Sequence, residues 1–143
     1  MTIGASDRVD AEPFAAFERR KYALLTTFRR DGRGVATPVT IAVAGPIAYV
    51  RTYDKTGKAK RLRNFPNVLV APCTARGKPR SEAVRAAARL LDGDDARVAK
   101  RALARRQPVL QGVLVPALHR VMRYRTLHYA LTAGHVPGGS PAP

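Results

Sequence analysis

Residues 22–44 read YALLTTFRRDGRGVATPVTIAVA, and this stretch decides the fold class. Its first part is rich in β-branched and aromatic residues, and the turn signal at residues 31–34 leads into a second apolar segment, which predicts a β-hairpin. From Val35 to Ala44 larger residues alternate with small ones, as in a strand with one face open to a close neighbour or ligand. Pro38 cannot donate to a ladder, so we expect an edge strand or a bulge there.

Further strands are predicted in four later segments. They read IAYVRT (47–52), NVLVAPCTA (67–75), SEAVRAAARLLDG (81–93) and YRTLHYALT (124–132). The segment at 81–93 is ambiguous, because its alanines favour a helix whereas its position between turn signals favours a strand. We predict a strand.

Short helices accompany these strands. PFAAFERRK (13–21) predicts an amphipathic helix packed on a sheet edge, and residues 58–64 predict a helical turn capped by Thr56 and stopped by Pro66. A surface helix with acidic residues first and basic residues last is expected over 92–106, ended by Pro108, and another helix over 116–122.

The order of these elements contains no βαβ alternation, which predicts a mainly β fold: a small antiparallel barrel of six or so strands with short helices. We expect a flexible N-terminus (1–12), one barrel domain (13–132) and a disordered tail (133–143).

Charge is the strongest compositional feature, with 26 Lys and Arg against 10 Asp and Glu, a formal net charge of +16. An anionic partner is expected. A codon bias toward arginine could explain the total, but not the concentration of six cations and one acid between Arg51 and Arg63.

Side-chain constellations for catalysis or metal binding are lacking in the sequence. Cys73 is the single cysteine, and His119, His128 and His135 show no metal-ligand spacing. An enzymatic function therefore requires chemistry carried by a cofactor. With no apolar leader or membrane-length stretch, we expect a cytoplasmic protein with no membrane partner.

The segment YVRTYDKTGKAK (49–60) is the best candidate for an anion site. Gly57 allows a close backbone approach, Thr56 offers a hydroxyl, Lys58 offers a charge, and the helix start adds amide donors. A solvated basic loop explains the same pattern equally well, because no dinucleotide or Walker glycine signature is present.

Two segments, LTTFRRDGRGVATPV (25–39) and YVRTYDKTGKAKRLRNFPNVLVAPCTARGKP (49–79), resemble the deazaflavin-dependent branch of the pyridoxamine-phosphate-oxidase-like flavin and deazaflavin oxidoreductases. The resemblance is strong over residues 21–80 and loose elsewhere, where HYALT (128–132) looks like the closing strand.

The resemblance implies a split β-barrel homodimer with the cofactor between subunits. The implied cofactor is coenzyme F420, which would pass a hydride to a small unsaturated or quinone-like substrate. The ring would lie at Thr37, Pro38 and Val39 and the phosphate at Thr56, Gly57 and Lys58. Four further residues would flank the phosphate: Arg51, Thr52, Lys60 and Arg61.

Two alternatives remain open at this stage. An oxidase or reductase of the same fold could bind FMN, although the arginine-serine-lysine phosphate signature of such oxidases is absent. Thr40 and Ile41 stand where many relatives are aromatic, which implies a more open ring pocket. A nucleic-acid-binding module would use the net charge, but aromatic residues are few and no recognition helix is evident.

Overall fold

The computed structural model describes residues 12–53, 56–106 and 126–134. After a 3₁₀ turn, six strands and two helices follow in the order β1 (Tyr22–Phe28), β2 (Gly34–Ala44), β3 (Ile47–Tyr53), α1 (Gly57–Asn64), β4 (Asn67–Cys73), β5 (Val84–Leu90), α2 (Gly93–Arg106) and β6 (Thr126–Ala133). The mainly β prediction is confirmed. The helix expected over 116–122 lies outside the described residues, as do most of the two terminal segments.

The six strands form a closed antiparallel barrel in the order β1-β2-β3-β6-β5-β4. Alternate residues of each strand point inward and make one buried cluster, which includes Leu25, Ile41, Val50, Val70 and Leu131. The ambiguous segment becomes β5, which pairs with both β4 and β6. The helix preference of its alanines is overridden by this pairing, because the barrel would not close without β5.

One end of the barrel is covered by the 3₁₀ turn Ala15–Phe17. Phe14 and Phe17 are fully buried, with ring centroids 5.8 Å apart in an edge-to-face arrangement. The expected helix on a sheet edge is therefore wrong in form and in place: a closed barrel has no edge, and a single 3₁₀ turn already puts residues three apart on one side. The turn packs on β2 and β4, the two neighbours of β1.

Helix α1 covers the end of the barrel at which β1 finishes. Ala59 and Leu62 are its buried residues, and Leu62 joins the barrel core. The Arg61 Nε donates to the fully buried Thr27 Oγ1 at 2.6 Å, which ties the helix to β1. Both the predicted Thr56 cap and the end of the helix before Pro66 are confirmed.

Helix α2 lies on the outside of the barrel, against β2, β3 and β6. Its Ala99 packs with Leu91 and Ala130 in a second buried cluster. Asp94 and Asp95 lie in its first turn, as the charge pattern predicts. No helix among the described residues is long and apolar enough to span a membrane.

Strand β2 changes partner along its length. It pairs with β1 from Gly34 to Thr40 but with β3 only from Ile41 to Ala44. The Ile41 N–H donates to Lys21 O, so the backbone polar groups of Ile41 face β1. Along a strand these groups face the same neighbour at every second residue, so those of Pro38, three residues earlier, face away from β1. β2 is therefore not an edge strand, contrary to one of the two expectations for it. Pro38 lies in the part of β2 that the described residues of β3 do not pair with.

Phe17→Ala is expected to lower the free energy of unfolding by about 3–5 kcal/mol, because it empties a fully buried position at the barrel end. Urea unfolding measures this. Val98→Ala, at a half-exposed position of α2, is the control and should change stability by less than about 0.5 kcal/mol. Equal effects of the two substitutions would contradict the burial of the 3₁₀ turn.

Candidate functional site

A cleft of about 150 Å³ opens where β2 and β3 diverge. We call it the β2–β3 cleft. One wall comes from β2, the other from the end of β3, and α1 begins at its mouth. Its lining residues are Pro38, Val39, Thr40, Arg51, Thr52, Tyr53, Thr56 and Lys58. Because Pro38 faces away from β1, its carbonyl oxygen is directed to this side, where a ligand can replace a missing strand partner.

The Thr56 hydroxyl organises the start of α1. It donates to Tyr53 O at 2.8 Å and accepts from Ala59 N at 3.1 Å, and it lies 3.2 Å from the Thr52 hydroxyl. A hydroxyl has one proton, so Thr52 must be the donor in that last contact. Thr56 is therefore occupied in capping the helix, and the donors at the cleft mouth are the Lys58 ammonium and the first amides of α1.

Two half-buried cations, Arg51 and Lys58, line the cleft, and none of its described lining residues is acidic. Burial lowers the pKa of Lys58, and the nearby Arg61 lowers it further. Burial also lowers the pKa of Arg51, although Tyr53 opposes this effect. Partly desolvated cations that line one cleft favour an anion, which would relieve the cost of burying them.

The turn between β4 and β5 lies beside the cleft. Gly77 has a φ of +88°, and a Cβ on it would lie 3.7 Å from Pro38 Cδ and 3.8 Å from Leu24 Cδ1. The turn carries the exposed cations Arg76 and Lys78. The cleft thus has further positive charge nearby, which comes from a part of the chain far from β2 in sequence.

The ten predicted site residues fall into three groups. Six of them line the cleft: Pro38, Val39, Arg51, Thr52, Thr56 and Lys58. Three line a different cavity on the other side of α1: Gly57, Lys60 and Arg61. Thr37 lines neither, and its hydroxyl is buried without a hydrogen-bond partner among the described residues.

The prediction left out two lining residues, Thr40 and Tyr53. Period-two alternation could have identified both, since Thr40 shares a face of β2 with Pro38 and Tyr53 shares a face of β3 with Arg51. The split of the basic segment between two cavities had no such signal. It depends on which side of α1 each residue takes.

The sequence matches no protein-family model and no curated protein. Among solved structures, the fold resembles a candidate pyridoxamine 5'-phosphate oxidase from Listeria innocua, with a TM-score of 0.58, 16% identity, and 92% of this chain and 94% of that chain covered. The heme storage protein HutZ from Vibrio cholerae has a TM-score of 0.63 and 15% identity, with 88% of this chain and 92% of that chain covered. A FAD-binding protein from Mesorhizobium loti has a TM-score of 0.60 and 13% identity, with 83% of this chain and 85% of that chain covered.

These likenesses, none above 16% identity, establish the fold of the chain. It is a split barrel of the pyridoxamine-phosphate-oxidase-like type, as predicted. The matched structures include one protein described as FAD-binding and one described as a heme storage protein.

Lys58→Met is expected to leave the protein at least as stable as the wild type at pH 7. The folded-state pKa of Lys58 lies below its ordinary 10.5, so the protonated side chain lowers stability until the pH rises through the folded pKa toward 10.5. In urea unfolding, any advantage of the variant should therefore shrink between pH 7 and pH 10.5.

Lys60→Met is the matched control, because Lys60 is exposed on the same helix. Its effect should stay within about 0.5 kcal/mol at both pH values. A clear loss of stability in Lys58→Met at pH 7 would mean that the ammonium holds the fold together and has no need of an anion.

Proposed function

We propose that this protein is a cytoplasmic oxidoreductase that binds a phosphate-bearing flavin-type cofactor, coenzyme F420, in the β2–β3 cleft. The observation that carries the proposal is the meeting of Arg51 and Lys58 at the start of α1, beside a stretch of β2 that has no β3 partner. The sequence resemblance to deazaflavin-dependent oxidoreductases selects the deazaflavin over FMN.

The residues of the cleft fit such a cofactor. The phosphate would contact the Lys58 ammonium, the Arg51 guanidinium and the first amides of α1, and hydrogen bonds to charged groups contribute about 1.5–3 kcal/mol each. The ring edge would lie along Pro38 to Thr40, where backbone groups point into the cleft. When bound in its reduced form, the cofactor supplies a hydride to an unsaturated or quinone-like small molecule.

The chain's own part in the reaction is binding and orientation. Arg51 and Lys58 would hold the anionic end, so that the ring is presented at the open side of the cleft, where the substrate can approach. No side chain is assigned as an acid or base, and the proton that completes the reduction of the substrate would come from solvent.

Side-by-side titrations test the cofactor. We expect coenzyme F420 to bind more tightly than FMN, and Lys58→Met to weaken binding about tenfold to a hundredfold, as the loss of one charged hydrogen bond predicts. Lys60→Met, which removes the same charge outside the cleft, should have a much smaller effect. Tight binding of FMN or heme with no binding of the deazaflavin would overturn the choice of cofactor.

A homodimer is part of the proposal. The cleft of about 150 Å³ is smaller than the roughly 300–1,000 Å³ of pockets that enclose small molecules, so a second copy would have to supply the remaining wall. Light scattering at micromolar concentration is expected to give twice the mass of the chain. A monomeric mass with cofactor still bound would refute a shared site.

A further inference from the structure

A second cavity, of about 430 Å³, lies between α1 and the turn that joins β1 to β2. We call it the basic cavity. It has no lining residue in common with the β2–β3 cleft. Its lining residues are Arg29, Arg30, Gly57, Lys60, Arg61 and Asn64. Four of these six residues are cations, and none is acidic.

The acid nearest to these cations in sequence forms its ion pair with a residue outside the cavity. Asp31 follows Arg30 directly, but its carboxylate accepts from the Arg33 backbone N–H at 3.0 Å and from the Arg33 Nε at 2.9 Å. This contact stabilises the tight turn and directs the acid to Arg33. Arg29 acts on Asp31 only as the smallest of the causes that lower the pKa of this carboxyl, so Asp31 offsets the charge of the cavity weakly.

Arg61 is held in position within the basic cavity. Its Nε donates to the buried Thr27 hydroxyl, and its Nη1 lies 2.8 Å from where a Cβ on residue 57 would be. Gly57 therefore leaves room for the guanidinium to lie across the start of the helix. Burial lowers the pKa of Arg61, and the positive charge of Arg29 lowers it further.

We propose that the basic cavity is a second anion site, separate from the β2–β3 cleft, that takes a compact diphosphate group. Three of its four cations are arginines, whose planar forks match phosphate oxygens in pairs. A diphosphate carries roughly three to four negative charges, which matches four cations, and the cavity lies within the size range of small-molecule pockets. The site goes beyond the proposed cofactor site and does not depend on it.

The diphosphate could be free or part of a nucleotide. Calorimetric titrations of the full chain with pyrophosphate, ADP and adenosine separate these sources. Pyrophosphate and ADP binding to similar extents means that the phosphates are recognised alone, whereas much tighter ADP binding means that the nucleoside is recognised too. Either result supports the proposal, and tight binding of adenosine alone contradicts it.

Variants on the two sides of α1 give the decisive comparison. The double variant Arg30→Met/Lys60→Met removes two exposed cations from the basic cavity and is expected to weaken pyrophosphate binding roughly fivefold to thirtyfold. Lys58→Met should leave that affinity within about twofold, because Lys58 lines the other site. The double variant Arg63→Met/Lys100→Met is the charge-matched control, since both residues are exposed and neither lines the cavity.

The results distinguish this proposal from the proposed function. If the cofactor site fails but pyrophosphate still responds to Arg30→Met/Lys60→Met alone, the second site stands. Equal losses in the charge-matched control would reduce the cavity to general surface charge and overturn the proposal. So would competition between pyrophosphate and the cofactor for a single site, or no pyrophosphate binding at 150 mM salt, near physiological ionic strength.

Discussion

The stagger that closes a six-stranded barrel forces β2 to change partners along its length, and the rest of the site depends on this constraint. Closure requires tilted strands and a shifted register, so an eleven-residue strand cannot face the same neighbour throughout. β2 pairs with β3 only from Ile41 to Ala44, and a wedge opens between the two strands along the part of β2 that precedes Ile41. Pro38, which lacks an N–H, occupies the open side, where no hydrogen bond to a strand is lost.

Helix α1 then divides the positive charge of one segment between two places. Its buried residues, Ala59 and Leu62, set its rotation on the barrel end. With that rotation fixed, Lys58 faces the β2–β3 cleft, whereas Lys60 and Arg61 face the basic cavity. A single run of cations thus serves two surfaces, and the hydrogen bond from Arg61 to Thr27 holds the arrangement in place.

Much of this architecture could be predicted from local signals. The hairpin, the Thr56 cap, the charge gradient of α2 and the segments that become strands all depend on neighbouring residues, and each is confirmed. The segment that contains Phe14 and Phe17 predicts an amphipathic helix on a sheet edge, whereas these two residues pack on the end of the barrel. Whether such a pair faces an edge or a barrel end depends on closure, which involves strands more than a hundred residues away.

The sequence by itself determined the kind of fold and the concentration of positive charge in one segment. Period-two alternation, turn residues and the basic run from Arg51 to Arg63 are local properties, and they predict a β-rich protein and an anionic partner. Only the tertiary structure decided where that charge acts. The register of β2 against β3 opens the cleft, and the packing of Leu62 orients α1, because side chains adjacent in sequence point to different sides once a helix has one face buried.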